Sequence, residues 1–275
     1  MEGRVNTQAF VSMLERPTLS ARVVRHLLSL IKSEKLRPSD QVPSEIQIGR
    51  DLQISRGAVR EAYRSLAALG ILEIEGGRRP RLRRIDPQVL MHVFDYGLIT
   101  EQVRLEHVLE TRRALELQTA QFAARYATDA QRQELRNLAA QLRADGANHA
   151  RRVASDMAIH NLIAEASDNP LNSLILHSLR SPVEASSRMH FDENRSEAEL
   201  VRLIEAHEAI VERICAADPV GAATAMSYHF DLSLVQMKRQ LDEKTRVATS
   251  AGTNPSEIIA EMQPPQVEPD VSSAA

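Results

Sequence analysis

The sequence has no tryptophan, and aromatic residues make up 3% of its 275 positions. Sheets lean on aromatic and β-branched side chains, so this scarcity argues for helices. A single cysteine, Cys215, excludes an intrachain disulfide; it lies in an apolar helical stretch, as a small core residue would. No run of about 18 apolar residues exists, so no membrane span is expected. The N-terminus lacks the charged-then-apolar order of a secretion signal, which makes a cytoplasmic location the expectation.

What is present is unevenly spread. The net charge is only -3, yet 16 of the 34 Lys+Arg residues fall in residues 1–85, against 9 Asp+Glu. The remaining chain is acidic. A basic head on an acidic body points to a head that meets a polyanion.

The pattern divides the chain into a flexible tail (1–18), a compact head (19–85), a linker (86–99), an all-helical body (100–242) and a disordered tail (243–275). In the head, Ser20 is placed to cap a first helix with Val23, Val24, Leu27 and Leu28 on its apolar face. Ser44, with Gln47 three residues on, opens a short second helix. Ser55 caps a third, which Gly70 stops. The period then changes to two over Ile71–Glu75, Gly76-Gly77 turn the chain, and Arg81–Ile85 return as a second strand. Three helices and a hairpin in this order are a winged helix-turn-helix. The body shows helical period over about 101–126, 129–145, 149–167, 170–180, 183–191, 197–217 and 219–242, with breaks at Asn169-Pro170, Ser181-Pro182 and Asp218-Pro219. The expected fold is therefore mainly α: a winged helix-turn-helix followed by an antiparallel helical bundle.

Arg56, Arg60 and Arg64 recur every four residues along the third helix, opposite the apolar Val59, Tyr63 and Leu66. Such a stripe can be an ordinary solvated face. Its coincidence with a helix-turn-helix and a basic wing makes DNA the better partner. Arginine can take guanine O6 and N7 in two hydrogen bonds or grip a phosphate. Gly57 and Ala58 are small enough to let the backbone approach closely. The helix N-termini at Ser44 and Ser55 offer N–H groups to phosphates. Arg78, Arg79 and Arg81 beside the glycines suit a minor groove. Pro43-Ser44-Glu45, the run Ile54 to Ala62, Leu69-Gly70 and Gly76-Gly77 resemble the GntR superfamily of bacterial regulators over about residues 18–85. The resemblance implies that Arg56 and Arg60 contact DNA, with Gly57 and Ala58 between them and Gly77 at the minor groove. Ile46 departs from it, standing where the family often has a phosphate-gripping Arg.

In the body, Asp156 and His160 lie four apart on an inward stripe with Val153 and Ile163. His207 falls among Leu203, Ile204, Ile210 and Ile214, and His229 among Ala222, Ala225 and Met226. One carboxylate and three imidazoles from three helices suit a divalent zinc-, nickel- or iron-like ion; a hydrogen-bonded polar core fits the same spacing. Arg112-Arg113-Ala114-Leu115-Glu116, Ala123-Ala124, Asp156 through His160, Asn169-Pro170-Leu171, Ala206-His207-Glu208 and His229 resemble the FCD ligand-binding domain of the FadR subfamily. That resemblance implies one divalent metal per chain, held by Asp156, His160, His207 and His229; the divalent affinity order makes zinc or nickel the ion expected in recombinant material. It also implies a small organic acid as effector. Arg112, and more weakly Arg188, are candidates to pair with its carboxylate; Arg112 could equally be a surface cation beside Glu116.

The reading is a homodimeric, ligand-responsive transcription factor, a repressor in its expected sense, binding a palindromic double-stranded operator, with no membrane partner. The alternative is a metal-dependent hydrolase with a DNA-binding appendage. Four protein ligands and no well-placed general base count against it. A purely architectural DNA-binding protein would have no use for a polar cluster inside a bundle.

Overall fold

The computed structural model describes residues 18–146, 148–191 and 196–251; of the tails expected over 1–18 and 243–275, residues 1–17 and 252–275 lie outside them, while 243–251 are helical rather than disordered because the last helix continues through them. The chain divides between Val89 and Leu90 into two compact units.

The first unit holds α1 (Leu19–Ser33), α2 (Glu45–Leu52), α3 (Arg56–Ala68), β1 (Leu72–Glu73) and β2 (Arg81–Leu82). Thr18, rather than Ser20, caps α1, its Oγ1 accepting from Ala21 N at 3.2 Å. Ser44 caps α2 as expected, with Gln47 N donating to its Oγ at 3.3 Å. Ser55 precedes α3 without a side-chain cap bond. Val23 and Leu27 of α1, Ile48 of α2, and Val59, Ala62 and Tyr63 of α3 share one core with Leu72 and Leu82 of the hairpin. Tyr63 also reaches across to the loop before α2, its hydroxyl donating to Pro43 O at 2.5 Å.

The strands are antiparallel, with Leu72 opposite Leu82 and Glu73 opposite Arg81. They are shorter than the sequence pattern because Ile74 and Ile85 are exposed rather than turned to the core. Gly77 takes φ +75 in the turn, and Gly70 takes φ +67 where α3 stops. Both lie in the left-handed region that glycine enters without steric cost.

The second unit, entered through α4 (Gln88–Ile99), has helices and no strand among its described residues: α5 (Leu105–Tyr126), α6 (Asp129–Ala144), α7 (His149–Ala166), α8 (Pro170–Ser178), α9 (Arg180–His190), α10 (Glu197–Cys215) and α11 (Pro219–Ala251). The expected linker is α4, and its Phe94 and Leu98 pack against Val108, Leu179 and Val183. Pro170 and Pro219 open α8 and α11 as the sequence suggests. The break expected at Ser181-Pro182 falls instead at Leu179. Pro182 is the third residue of α9, in a first turn that has no use for its missing N–H. α11 runs past Asp242, where the apolar pattern ends.

Helices α5, α7, α10 and α11 face one another around an aliphatic core that includes Ala123, Ile159, Ile163, Leu203, Ile210 and Phe230. The alanines of α5 let its neighbours approach closely.

Tyr63→Phe removes the hydroxyl that ties α3 to Pro43 and leaves that carbonyl without its buried partner. The expected loss is about 1–3 kcal/mol, read as a lower urea midpoint of the first unit at unchanged slope.

Candidate functional site

The arginine stripe of α3 is displayed as its spacing implied. Arg56, Arg60 and Arg64 are exposed beside the exposed Ser55 and Gly57, with Ala58 half-buried. A side chain at Gly57 or Gly77 would meet open space, so the backbone is approachable at both. Arg60 Nε lies 3.5 Å from Glu45 Oε2, which leans the guanidinium towards the start of α2. In the hairpin, Gly77, Arg78 and Arg79 are exposed, and Arg78 pairs with Glu75 at 2.5 Å. Ser44 is half-buried and its hydroxyl is engaged by Gln47. Ile46 is exposed on the same short helix.

The second unit brings together the four residues of the polar stripe. One ligand atom each from Asp156 and His160 on α7, His207 on α10 and His229 on α11 lie within 4.8 Å of one another, and all four residues are buried. His207 Nε2 is 2.8 Å from Asp156 Oδ1, and His160 Nε2 is 3.8 Å from the same oxygen. Neither approach has hydrogen-bond alignment: Asp156 Oδ1, His160 Nε2 and His207 Nε2 are buried without a hydrogen-bond partner. Three such atoms converging on one point is the geometry of ligands around a shared cation, since buried polar groups are otherwise paired.

The outer atoms of Asp156, His160 and His207 are engaged. Ser187 Oγ donates to Asp156 Oδ2 at 2.6 Å. His207 Nδ1 lies 2.8 Å from the carbonyl of Leu203. A carbonyl only accepts, so this nitrogen carries a proton, and in a neutral ring Nε2 is the atom with the lone pair. His160 Nδ1 contacts Glu116 Oε2, and Arg112 Nε donates to Glu116 Oε1 at 2.7 Å. The residues present therefore fit a divalent ion: nitrogen and oxygen donors, inward lone pairs and an outer layer that fixes ring orientation.

The same contacts set the ionisation of the metal-free cluster. Burial alone would raise the Asp156 carboxyl, but His207, His160 and His229 hold it well below the ordinary carboxylate range. Burial likewise opposes ionisation of Glu116, and Arg112 and His160 override it, bringing Glu116 down to about 2. For His160, burial disfavours the charged form, while Glu116 and Asp156 outweigh it and raise the pKa.

The two arginine candidates part company. Arg112 is buried in the bundle, held by Glu116 and lying over the Phe230 ring at 5.5 Å. Arg188 is exposed, paired with Glu184 at 2.7 Å along an outer cleft between α7 and α9. Glu208 is drawn away from the cluster by an ion pair with Arg143. The roles of Glu116 and Ser187 at the cluster escaped sequence reasoning. The four-residue spacing of Arg112 and Glu116 was a usable sign of the first; nothing in the sequence marks Ser187.

Residues 19–81 match the family described as "Bacterial regulatory proteins, gntR family", and residues 107–232 match the FCD domain. The chain is 32% identical to the uncharacterized HTH-type transcriptional regulator YieP of Escherichia coli, over 75% of this chain and 90% of that one. It is 28% identical to the HTH-type transcriptional regulator LutR of Bacillus subtilis, over 73% and 92%. A solved structure titled Streptococcus agalactiae GntR aligns with a TM-score of 0.59 at 26% identity, covering 80% of this chain and 99% of that chain.

A carboxylate held ionised in the fold stabilises it fully above the unfolded pKa and ceases to do so as pH falls through the folded value. Metal-free protein should lose stability between pH 4.5 and about 2, the ordinary and folded values for Glu116. Glu116→Gln should show a shallower fall over that window in urea titrations. Parallel pH profiles would show that the Glu116 carboxylate is not held ionised.

Proposed function

We propose a function from one premise: the chain belongs to the GntR family of bacterial regulatory proteins, a transcription regulator with an FCD domain behind its DNA-binding head. On this reading it is a homodimeric repressor. It binds a palindromic operator and releases it when a small carboxylate occupies a metal centre in the bundle.

The observation that carries the sensing half is the convergence of the buried, unsatisfied Asp156 Oδ1, His160 Nε2 and His207 Nε2. With His229 they would hold one divalent ion. Zinc or nickel is the ion expected from recombinant cells, since both rank high in affinity for such donors. A dication offset by one aspartate leaves a residual charge of about +1 in an apolar bundle, which favours an incoming anion. Four protein ligands leave coordination sites open in a five- or six-coordinate ion, and one carboxylate can fill them.

The DNA half rests on exposed Arg56 and Arg60 for base edges. Arg64, Arg78, Arg79 and the N-termini at Ser44 and Ser55 would meet phosphates, and Gly77 the minor groove. A dimer follows from the two-fold logic of helix-turn-helix recognition. The effector can alter operator affinity only through unequal affinity for two dimer arrangements. Among the described residues no helix is long and apolar enough to cross a membrane, and a DNA-binding protein works where the DNA is, in the cytoplasm. The matched domains and relatives are those of transcription regulators, not enzymes. Glu208, the acid beside His207 in sequence, is occupied by Arg143.

Operator titrations test both halves. Arg60→Ala should cost about 1–3 kcal/mol of specific binding; an unaltered affinity in the Arg56→Ala, Arg60→Ala double variant would refute the recognition-helix assignment. The best carboxylate from a thermal-shift screen of metal-loaded protein should weaken operator binding of the wild type, by a coupling of about 1–3 kcal/mol. His160→Ala should abolish that response. An equal response in both proteins would place the effector elsewhere.

A further inference from the structure

The outer layer of the cluster is built in two different ways. His207 has its Nδ1 proton fixed by the carbonyl of Leu203, one turn back on its own helix. That contact is supplied by the backbone of α10 itself. His160 has no such backbone partner at Nδ1. Its contact there is Glu116 Oε2, 44 residues away on α5, a helix that contributes none of the four ligands. Glu116 is itself fixed: Arg112 Nε donates to the other carboxylate oxygen at 2.7 Å, and both side chains are 3% exposed. The Arg112 guanidinium lies 5.5 Å over the Phe230 ring, and Phe230 sets its face at 78° to His229, with centroids 5.4 Å apart.

We propose that Glu116 is a positioning residue of the metal centre: it accepts the Nδ1 proton of His160 and thereby fixes that imidazole with Nε2 as the donor. Arg112 serves Glu116 by holding its second oxygen. This inference rests on the metal reading above. An imidazole carries its single neutral proton on either nitrogen, and only the nitrogen without it can ligate. A carboxylate at Nδ1 makes the choice and also raises the basicity of Nε2. The arrangement ties α5 to the centre without giving it a ligand, so metal affinity reports whether α5 is docked on α7.

The test uses full-length protein, with Zn2+ titrated against a chromophoric chelator. Glu116→Gln keeps the side-chain length, but its amide has one oxygen. Arg112 and His160 contact different oxygens of Glu116, so in Gln one of them faces an NH2 donor instead of an acceptor. Zn2+ affinity should fall about 10- to 100-fold, and the melting temperature of the zinc-saturated variant should move away from wild type by more than that of the metal-free one. Equal Zn2+ affinity in wild type and Glu116→Gln would overturn the inference while leaving the metal centre standing. A wild type that takes up no Zn2+ would overturn the metal reading and this inference with it. A second measurement needs no variant. In zinc-loaded wild type, long-range 15N–1H spectra of the histidine rings should show His160 with a proton on Nδ1 and metal on Nε2. A His160 ring metallated at Nδ1 would refute the assignment.

Discussion

A carboxylate buried in an aliphatic bundle is the constraint on which the second unit depends. Asp156 is almost wholly enclosed, with three imidazoles around it and one oxygen lacking any hydrogen-bond partner. Taking such a charge out of water is costly unless a cation or a set of donors meets it. Ser187 meets one oxygen; the other faces His160, His207 and His229. The four helices that carry Glu116, Asp156, His160, His207 and His229 therefore meet at a polar centre that, on the proposed reading, a divalent ion would complete. That same centre would be a receptor for anions, because the ion's charge exceeds what one aspartate cancels.

The first unit follows from a different requirement, the display of cations on a rigid small core. Val59, Ala62, Tyr63 and Leu66 anchor one side of α3, which leaves Arg56, Arg60 and Arg64 on the other. The bond from Tyr63 to Pro43 fixes the recognition helix against the start of α2, where Glu45 meets Arg60. Position 46 carries an exposed isoleucine, which can supply no charge to a phosphate. On the proposed reading, operator affinity would lean on α3 and on the hairpin arginines.

Much of this was legible in the sequence because helical period reports which residues face inward. Asp156, His160, His207 and His229 each fell on an apolar stripe, and the structure turns all four to one point. Asn169-Pro170 and Asp218-Pro219 marked helix starts through proline's fixed φ. Less legible were features set by neighbours in space. Thr18 and Ser20 are both good caps, and only the backbone path selects Thr18. The hairpin strands stop early because Ile74 and Ile85 find no core to cover. Pro182 lies in a first helical turn as expected, but the helix begins at Arg180, before it. The segment 88–99 read as a linker, yet Phe94 and Leu98 had apolar partners in Val108 and Leu179. Glu116 in contact with His160 is a tertiary contact across 44 residues, which no local pattern encodes.

On the proposed reading the buried cluster holds a metal. Elemental analysis of protein purified without chelator, before and after incubation with Zn2+ and Ni2+, tests it most directly. The account predicts about one divalent ion per chain, and loss of most of it in His207→Ala, whose removal opens the centre and leaves Asp156 unmatched. No metal as purified and none taken up on incubation would contradict it.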